Sequence, residues 1–250
     1  MLSLLHSIRD AVVDTVYPRV CAGCGLRGTW LCDLCAAEVV ALVDVPCCAR
    51  CGIPAVAGRC GCADLHPNLV SVSSAFPYTR WVSQAVRRMK YEDEWSRAAH
   101  LASFLVPIVA RLGPVEALIP VPLHARRERE RGYNQSRLLA DDLGHVLGIP
   151  VLPVVERHRS TKQQVGLSGS ARIENVAGAF SLNNRYVPRS DGRYVLIDDV
   201  RTTGSTLNGC AAALAEVGIT QVWAVTVAVD LHAEHLALLR SFWAESTSTR

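Results

Sequence analysis

Nine of the ten cysteines in this 250-residue chain fall within its first 62 positions, and most of them come in pairs. Cys21 and Cys24 are followed, after seven intervening residues, by Cys32 and Cys35; Cys48 and Cys51 are followed, after eight, by Cys60 and Cys62. Two knuckles on a short hairpin bring four thiolates to the corners of a tetrahedron, the geometry of a structural zinc site with no position left open for chemistry. Gly23, Gly25, Gly52 and Gly61 sit inside or just beyond the pairs, where a knuckle turn calls for positive φ. The second quartet is spaced more tightly than usual, and Cys47 beside it offers a competing ligand. A disulfide framework is the alternative, but the opening segment MLSLLHSIRDAVVDTV lacks a basic start and is interrupted by Arg9 and Asp10, so it does not read as a secretory leader. The expectation is a cytoplasmic, reducing setting in which zinc helps fold segments too small to carry their own cores.

Half of the residues are hydrophobic and 20% are charged, which excludes general disorder and leaves material for a sizeable core. The longest apolar-rich stretches, 98–110 and 217–229, are 13 residues long, short of the roughly 20 a bilayer requires. A net charge of +3 does not announce a nucleic-acid binder. Residues 1–64 carry five basic side chains, no more than their acids, which argues against strong nucleic-acid contact through the cysteine region.

Two domains are expected: 1–66, a helix at 3–16 followed by the double zinc ribbon, and 67–250. In the second, helical spacing marks 81–90, 95–110, 135–147 (with Leu138, Leu139, Leu143, Val146 and Leu147 on one side), 207–217 and 231–243. Strands are expected at 117–123, 151–155, 194–197 and 222–229. Their alternation predicts an α/β fold, a parallel sheet covered by helices on both faces.

The decisive stretch is 195–207, VLIDDVRTTGSTL. It begins as a buried strand and reaches Asp198 and Asp199 at the strand's carboxyl end, where ligands sit in open α/β sheets. Thr202, Thr203, Gly204, Ser205 and Thr206 then lead into a helix, a turn whose amides and hydroxyls can cradle a phosphate. The two acids would repel that phosphate if they faced it, and suit a sugar's vicinal hydroxyls as acceptors. Together they read as a site for one ribose 5-phosphate. The chain has no P-loop and no dinucleotide fingerprint, and Gly166-Leu167-Ser168-Gly169-Ser170 fails the nucleophile-elbow pattern.

The stretch resembles the phosphoribosyl-pyrophosphate motif of type I phosphoribosyltransferases. The whole chain, with its cysteine ribbon, is similar to the ComF family, linked to competence and DNA uptake in bacteria. The likeness includes Lys90-Tyr91, Pro120-Val121-Pro122-Leu123-His124, Arg131-Gly132-Tyr133-Asn134-Gln135, Gln163 or Gln164, Arg172 with Asn175, and Gly178-Ala179-Phe180. It implies a type I phosphoribosyltransferase fold with a flexible hood at about 156–175, and phosphoribosyl pyrophosphate bound with magnesium. It further implies transfer to an unidentified nitrogen nucleophile or, alternatively, a non-catalytic binding or scaffold role in DNA uptake with a protein partner docked on the ribbon. Val121, Pro122, Leu123 and His124 would hold pyrophosphate, and Arg129, Arg131, Arg159 or Lys162 would hold the departing charge. Residues 124–137 and 156–172 each carry a net charge of +3, so positive charge is concentrated around the implied pocket.

One position departs from the purine-specific pattern: where those enzymes carry an acid in the turn as general base, this chain has Thr202. Either the nucleophile needs no deprotonation, another group acts, or there is no turnover. Cys210 reads as a small core residue, His232 and His235 as a solvated helix face, and Trp81 and Trp95 as packing groups. Tyr133 and Asn134 either touch the ligand or cap the following helix. Lys90-Tyr91 has no physical account at this level.

Overall fold

A computed structural model describes residues 18–55, 60, 62–158, 178–183, 189 and 191–248. The expected helix at 3–16 and positions 159–175 of the expected hood lie outside the described residues.

Six strands are present among them: β1 (Leu69–Pro77), β2 (Ala117–Pro120), β3 (Val155–Arg157), β4 (Phe180–Leu182), β5 (Tyr194–Arg201) and β6 (Val222–Val229). Four form one sheet in the order β1-β6-β5-β2, every neighbouring pair parallel, while β3 and β4 make a small antiparallel pair. Ala117 pairs with Tyr194 and Pro120 with Ile197, and Arg201 pairs with Val229, so the carboxyl ends of the strands gather on one side of the molecule. The central strands β5 and β6 are buried almost throughout, as their unbroken apolar runs require when helices cover both faces.

The helices are α1 (Asp33–Ala36), α2 (Arg80–Tyr91), α3 (Arg97–Ser103), α4 (Val106–Ala110), α5 (Ala125–Arg131), α6 (Gln135–Leu147), α7 (Ser205–Ala215) and α8 (Ala233–Ser248). On one face of the sheet Val195, Ile197 and Val225 pack against Val86 and Met89 of α2, Leu101 of α3, and Leu139 and Leu143 of α6. On the other, Leu196, Val222 and Ala224 meet Leu207, Cys210 and Leu214 of α7 with Val155 and Phe180 of the hairpin. Each fully buried aliphatic side chain contributes about 1.5–3 kcal/mol. The expected parallel sheet flanked by helices is therefore present, and Cys210 is the buried core residue its neighbours suggested.

Several elements differ from the sequence reading. The single helix expected at 95–110 is two, because Pro107 in the first turn of α4 cannot continue a helix begun at Arg97. The strand expected at 151–155 reduces to one bridge between Val151 and Leu118; beyond Pro153 the chain turns away to pair Val155 with Leu182. The edge strand β1, LVSVSSAFP, carries three serines that mask its apolar alternation. One is spent inside: Ser74 Oγ lies 2.7 Å from Thr226 Oγ1, a buried hydrogen bond between neighbouring strands. Val146 is 64% exposed rather than on the packed side of α6, and Trp95 is 51% exposed rather than packed. Trp81 is buried, with its ring edge-on to Phe76 at 5.1 Å.

Candidate functional site

The two cysteine quartets are built alike. In each, the first cysteine's N–H donates to the carbonyl five residues on (Cys21 to Leu26, 2.8 Å; Cys48 to Ile53, 2.9 Å). The glycine after the second cysteine donates back to the first (Gly25 to Cys21, 3.1 Å; Gly52 to Cys48, 2.8 Å). Those glycines have φ of +81° and +63°, as the knuckle requires. Gly23 does not; it is glycine because a Cβ there would lie 2.5 Å from the sulfur of Cys35. Gly61 lies outside the described residues. A single bridge flanks each knuckle, Val20 with Arg27 and Cys47 with Pro54.

Ligand atoms of Cys21, Cys24, Cys32 and Cys35 all lie within 4.8 Å of one another, as do those of Cys48, Cys51, Cys60 and Cys62. Cys47 is outside the second group, with its thiol directed at the carbonyl of Leu42. Burial opposes ionisation of Cys21, but amide donors from Cys24, Cys32 and Gly23 prevail and bring its thiol down to about 6. Amides of Cys51 and Arg50 bring Cys48 to about 6 as well. Burial and the surrounding thiols push Cys35 up to about 12. Such crowding of thiols around preformed amide donors suits a thiophilic tetrahedral cation, and zinc fits both sets.

At the carboxyl end of β5 the chain turns through exposed Thr202 and Thr203 into Gly204, whose φ of +79° starts α7. Thr203 Oγ1 donates to Ser205 Oγ at 3.1 Å and accepts from the Ser205 amide at 3.4 Å. The five turn residues singled out from the sequence thus come together as one hydroxyl-bearing loop. The acids do not stand beyond the strand but within it, and they are closed in: Asp198 is 8% and Asp199 3% exposed. Asp198 Oδ1 accepts from Ser136 Oγ at 2.8 Å and from the Asp199 amide at 2.9 Å. Burial, reinforced by the Asp199 charge, pushes its carboxyl up to about 7.

Asp199 is ion-paired with Lys90. Burial depresses the Lys90 ammonium, but the Asp199 carboxylate more than offsets this and holds it above its ordinary value. Lys90-Tyr91 therefore has a physical role that sequence reasoning missed: α2 delivers a cation to the acid pair. The contact joins residues more than a hundred positions apart, so no local pattern signals it. Around it, Tyr133 donates its hydroxyl to the carbonyl of Met89, and the guanidinium of Arg131 lies 5.2 Å from the Tyr91 ring centre. Asn134 caps α6 through the amides of Ser136 (2.9 Å) and Arg137 (3.4 Å) and donates to the carbonyl of Val121 at 3.0 Å. Of the readings offered for the Tyr133-Asn134 pair, helix capping is the one Asn134 takes.

The loop after β2 lies beside the acids, with the Val121 amide donating to the Ile197 carbonyl at 3.0 Å. His124 caps α5 by accepting from the Arg126 amide at 3.2 Å. Pro122 and Leu123 line a cavity of about 420 Å³ with Arg137 and Arg157, whereas Thr202, Thr203 and Ser205 line a separate one of about 1010 Å³. The two loops expected to share one ligand are thus brought to neighbouring strand ends but face different hollows. Arg131 also donates to the side chain of Gln135. Arg126 is engaged by Glu130 at 2.8 Å and Arg137 by Asp141 at 2.7 Å, while Arg159 and Lys162 lie outside the described residues. His235 is not on a solvated face: it is 8% exposed and lines the larger cavity.

No helix among the described residues is long and apolar enough to cross a membrane. No family model matches the chain. It is 35% identical over 208 residues to Competence protein F of Haemophilus influenzae, covering 77% of this chain and 88% of that protein. It is 35% identical over 205 residues to DNA utilization protein YhgH of Salmonella typhimurium, with the same coverage of 77% and 88%. Among solved structures it is similar to a purine phosphoribosyltransferase from Pyrococcus horikoshii at 15% identity and a TM-score of 0.36, over 54% of this chain and 83% of that one.

Proposed function

The chain belongs to the ComF family, that of Competence protein F and the YhgH proteins, and from that premise we propose that it binds phosphoribosyl pyrophosphate and transfers the phosphoribosyl group to a nitrogen nucleophile in the service of DNA uptake. The ligand belongs to residues 67–250, and the zinc ribbons of 1–66 serve for docking a protein partner. One observation carries the reading: a hydroxyl-rich turn opens α7 at the carboxyl end of the central strand, and two aspartates stand in that strand two residues before it.

The amides at the start of α7, with the hydroxyls of Thr202, Thr203, Ser205 and Thr206, suit the 5-phosphate. The carboxylates of Asp198 and Asp199 suit the ribose diol, which reaches Asp199 only as Lys90 exchanges that partner for a pyrophosphate oxygen. Val121, Pro122, Leu123, His124 and Arg131 are assigned to the leaving group, and by the family resemblance so are Arg159 and Lys162. Carboxylate oxygens are the donors magnesium takes, so Asp198 and Asp199 would hold it with the ligand, where it neutralises departing charge. Hood closure keeps water from the oxocarbenium-like centre.

Calorimetry with phosphoribosyl pyrophosphate and magnesium tests this on the parent chain and on a double Asp198→Asn, Asp199→Asn variant. Binding is expected for the parent and at least tenfold weaker binding for the variant, since two charge-assisted hydrogen-bond acceptors are lost (about 1.5–3 kcal/mol each). Equal affinities overturn the site. Thr202 favours a second reading, binding without turnover; release of pyrophosphate on addition of nitrogen bases decides against it.

A further inference from the structure

The cavity of about 1010 Å³ is used by the phosphoribosyl reading at one end only, where Thr202, Thr203 and Ser205 line it. Another part of its wall is His232, Glu234 and His235 at the start of α8, and His235 is the anomaly. The residue is 8% exposed, yet neither Nδ1 nor Nε2 has a hydrogen-bond partner among the described residues. The His232 ring, 6.3 Å away between centres, offers contact but no hydrogen bond. A buried polar atom left unpaired costs about 1–3 kcal/mol, and native proteins seldom keep one without a use. Two idle nitrogens on the wall of a cavity that the turn also lines describe a place made for a partner that is not part of the chain.

The lining says what kind of partner. Asp64, Glu216, Asp230 and Glu234 give the cavity acids, and the one guanidinium among its described lining residues, Arg201, is buried and donates to the carbonyl of Cys51. A second polyphosphate would be repelled there. Leu65, Phe180 and Leu231 supply apolar surface against which a flat molecule can lie. A planar nitrogen heterocycle with an N–H donor meets both conditions.

Resting on the phosphoribosyl reading, we propose that this cavity seats the nitrogen nucleophile, a planar N–H heterocycle, and that His235 accepts its proton. The heterocycle nitrogen forms its bond to the anomeric carbon of the ribose while the bond from that carbon to the pyrophosphate oxygen breaks. The bonding pair leaves with pyrophosphate, and the nitrogen's proton passes to the free imidazole nitrogen of His235. His235 thereby fills the role that Thr202 cannot.

Benzimidazole and 1-methylbenzimidazole, which lacks the N–H, are the probes, titrated into the zinc-loaded full chain with and without phosphoribosyl pyrophosphate and magnesium. Benzimidazole is expected to shift the ring-nitrogen resonances of His235 and to bind about tenfold more tightly than its methyl derivative, the worth of one buried hydrogen bond. His235→Phe should remove that preference while changing affinity for phosphoribosyl pyrophosphate less than about twofold, and His235→Asn, which keeps an acceptor, should restore part of it. Undisturbed His235 resonances, or equal binding by parent and His235→Phe, overturn the inference even where phosphoribosyl pyrophosphate binds normally. If benzimidazole binds through His235 while phosphoribosyl pyrophosphate does not bind at all, the heterocycle site stands and the transfer step falls with its parent reading. The resonance shift is read on the parent protein, so a poorly folded variant does not blunt the test.

Discussion

The two cysteine knuckles are near copies in their backbone hydrogen bonds, yet they are moored in different ways, one to α3 and one to β5. The first is held by Arg97, which is fully buried and donates to the carbonyls of Val20 (3.0 Å) and Trp30 (3.2 Å) with its guanidinium 4.5 Å from the Trp30 ring centre. Its charge is met by Glu94, at 2.8 Å from Nε. The second is held by Arg201, 6% exposed, which donates to the carbonyl of Cys51 and has no carboxylate salt-bridge partner among the described residues. Burial pushes both guanidinium groups down from their usual range; the opposing pull on Arg97 comes first from Glu94, and that on Arg201 from Cys51, Cys62, Asp64 and Cys48. Four thiolates around a zinc ion leave net negative charge. The second mooring therefore draws its counter-charge from the thiols of the cluster it holds, together with Asp64, and it sits immediately before Thr202. A mooring balanced by a carboxylate is a structural clasp; one balanced by the cysteine cluster ties that cluster to the turn that opens α7.

Removing the metal breaks the comparison most violently. Elemental analysis is expected to find two zinc ions per chain, and exhaustive chelation should abolish cooperative unfolding of the N-terminal segment, because structural zinc contributes on the order of 10 kcal/mol to such segments. Chain purified without chelator and free of zinc would end the ribbon reading. Next comes Arg97→Met, which leaves Glu94 without its partner and two backbone carbonyls without donors. A loss of about 3–5 kcal/mol is expected in urea unfolding; a loss under 1 kcal/mol would mean that the clasp is ornamental.

The same contrast recurs within one strand. Asp199 is balanced by Lys90, whereas Asp198 relies on hydrogen bonds from Ser136 and an amide, and its carboxyl is raised from 3.8 to about 7. Between those values the folded chain keeps a proton that the unfolded chain has released. The stability this group contributes is therefore fully present below about 4 and is lost as pH rises through about 7. Asp198→Asn should remove much of the fall in unfolding free energy between pH 5 and pH 8, an effect of a few kcal/mol. An unchanged pH profile would assign the decline to other groups.

These contrasts also mark where sequence ends. The knuckles were legible because their chemistry is local: pair spacing and a following glycine determine the turn, as at Gly25 and Gly52. The central strands β5 and β6 were legible from unbroken apolar runs, and α6 from its period and its Asn134 cap. What failed to show was what depends on distant partners. Lys90 acquires meaning only when α2 lies over Asp199, β1 hides behind its serines until Thr226 meets Ser74, and Arg201 carries no signal until Cys51 is beside it. The strand was also read as ending at Ile197, because two acids look like a boundary. Counter-charge and hydrogen bonds carry them inside instead.

Arg201→Met sharpens the difference between the moorings. It removes a charged donor from one carbonyl and should cost about 1.5–3 kcal/mol, less than Arg97→Met. Its signature is selectivity: in competition with a chromophoric chelator, one of the two zinc ions should leave early, and affinity for phosphoribosyl pyrophosphate should fall because the adjoining turn loosens. Arg97→Met should leave that affinity within about twofold when compared at equal folded fraction. If both variants release zinc alike and neither alters ligand binding, the second centre is no more connected to the turn than the first.

The smallest effect tests whether charge alone makes a clasp. The first ribbon also makes an ion pair to α2, Glu38 with Arg80 at 3.3 Å, but both side chains are about half exposed, at 46% and 60%. Solvent screens such a pair, and its two long side chains lose freedom in making it. Glu38→Ala should shift stability by no more than about 0.5 kcal/mol and vanish into error at high salt. A loss rivalling that of Arg97→Met would move the mooring from the buried guanidinium to the surface, and the distinction between a clasp and a coupled site would then have to be drawn from exposure rather than from counter-charge.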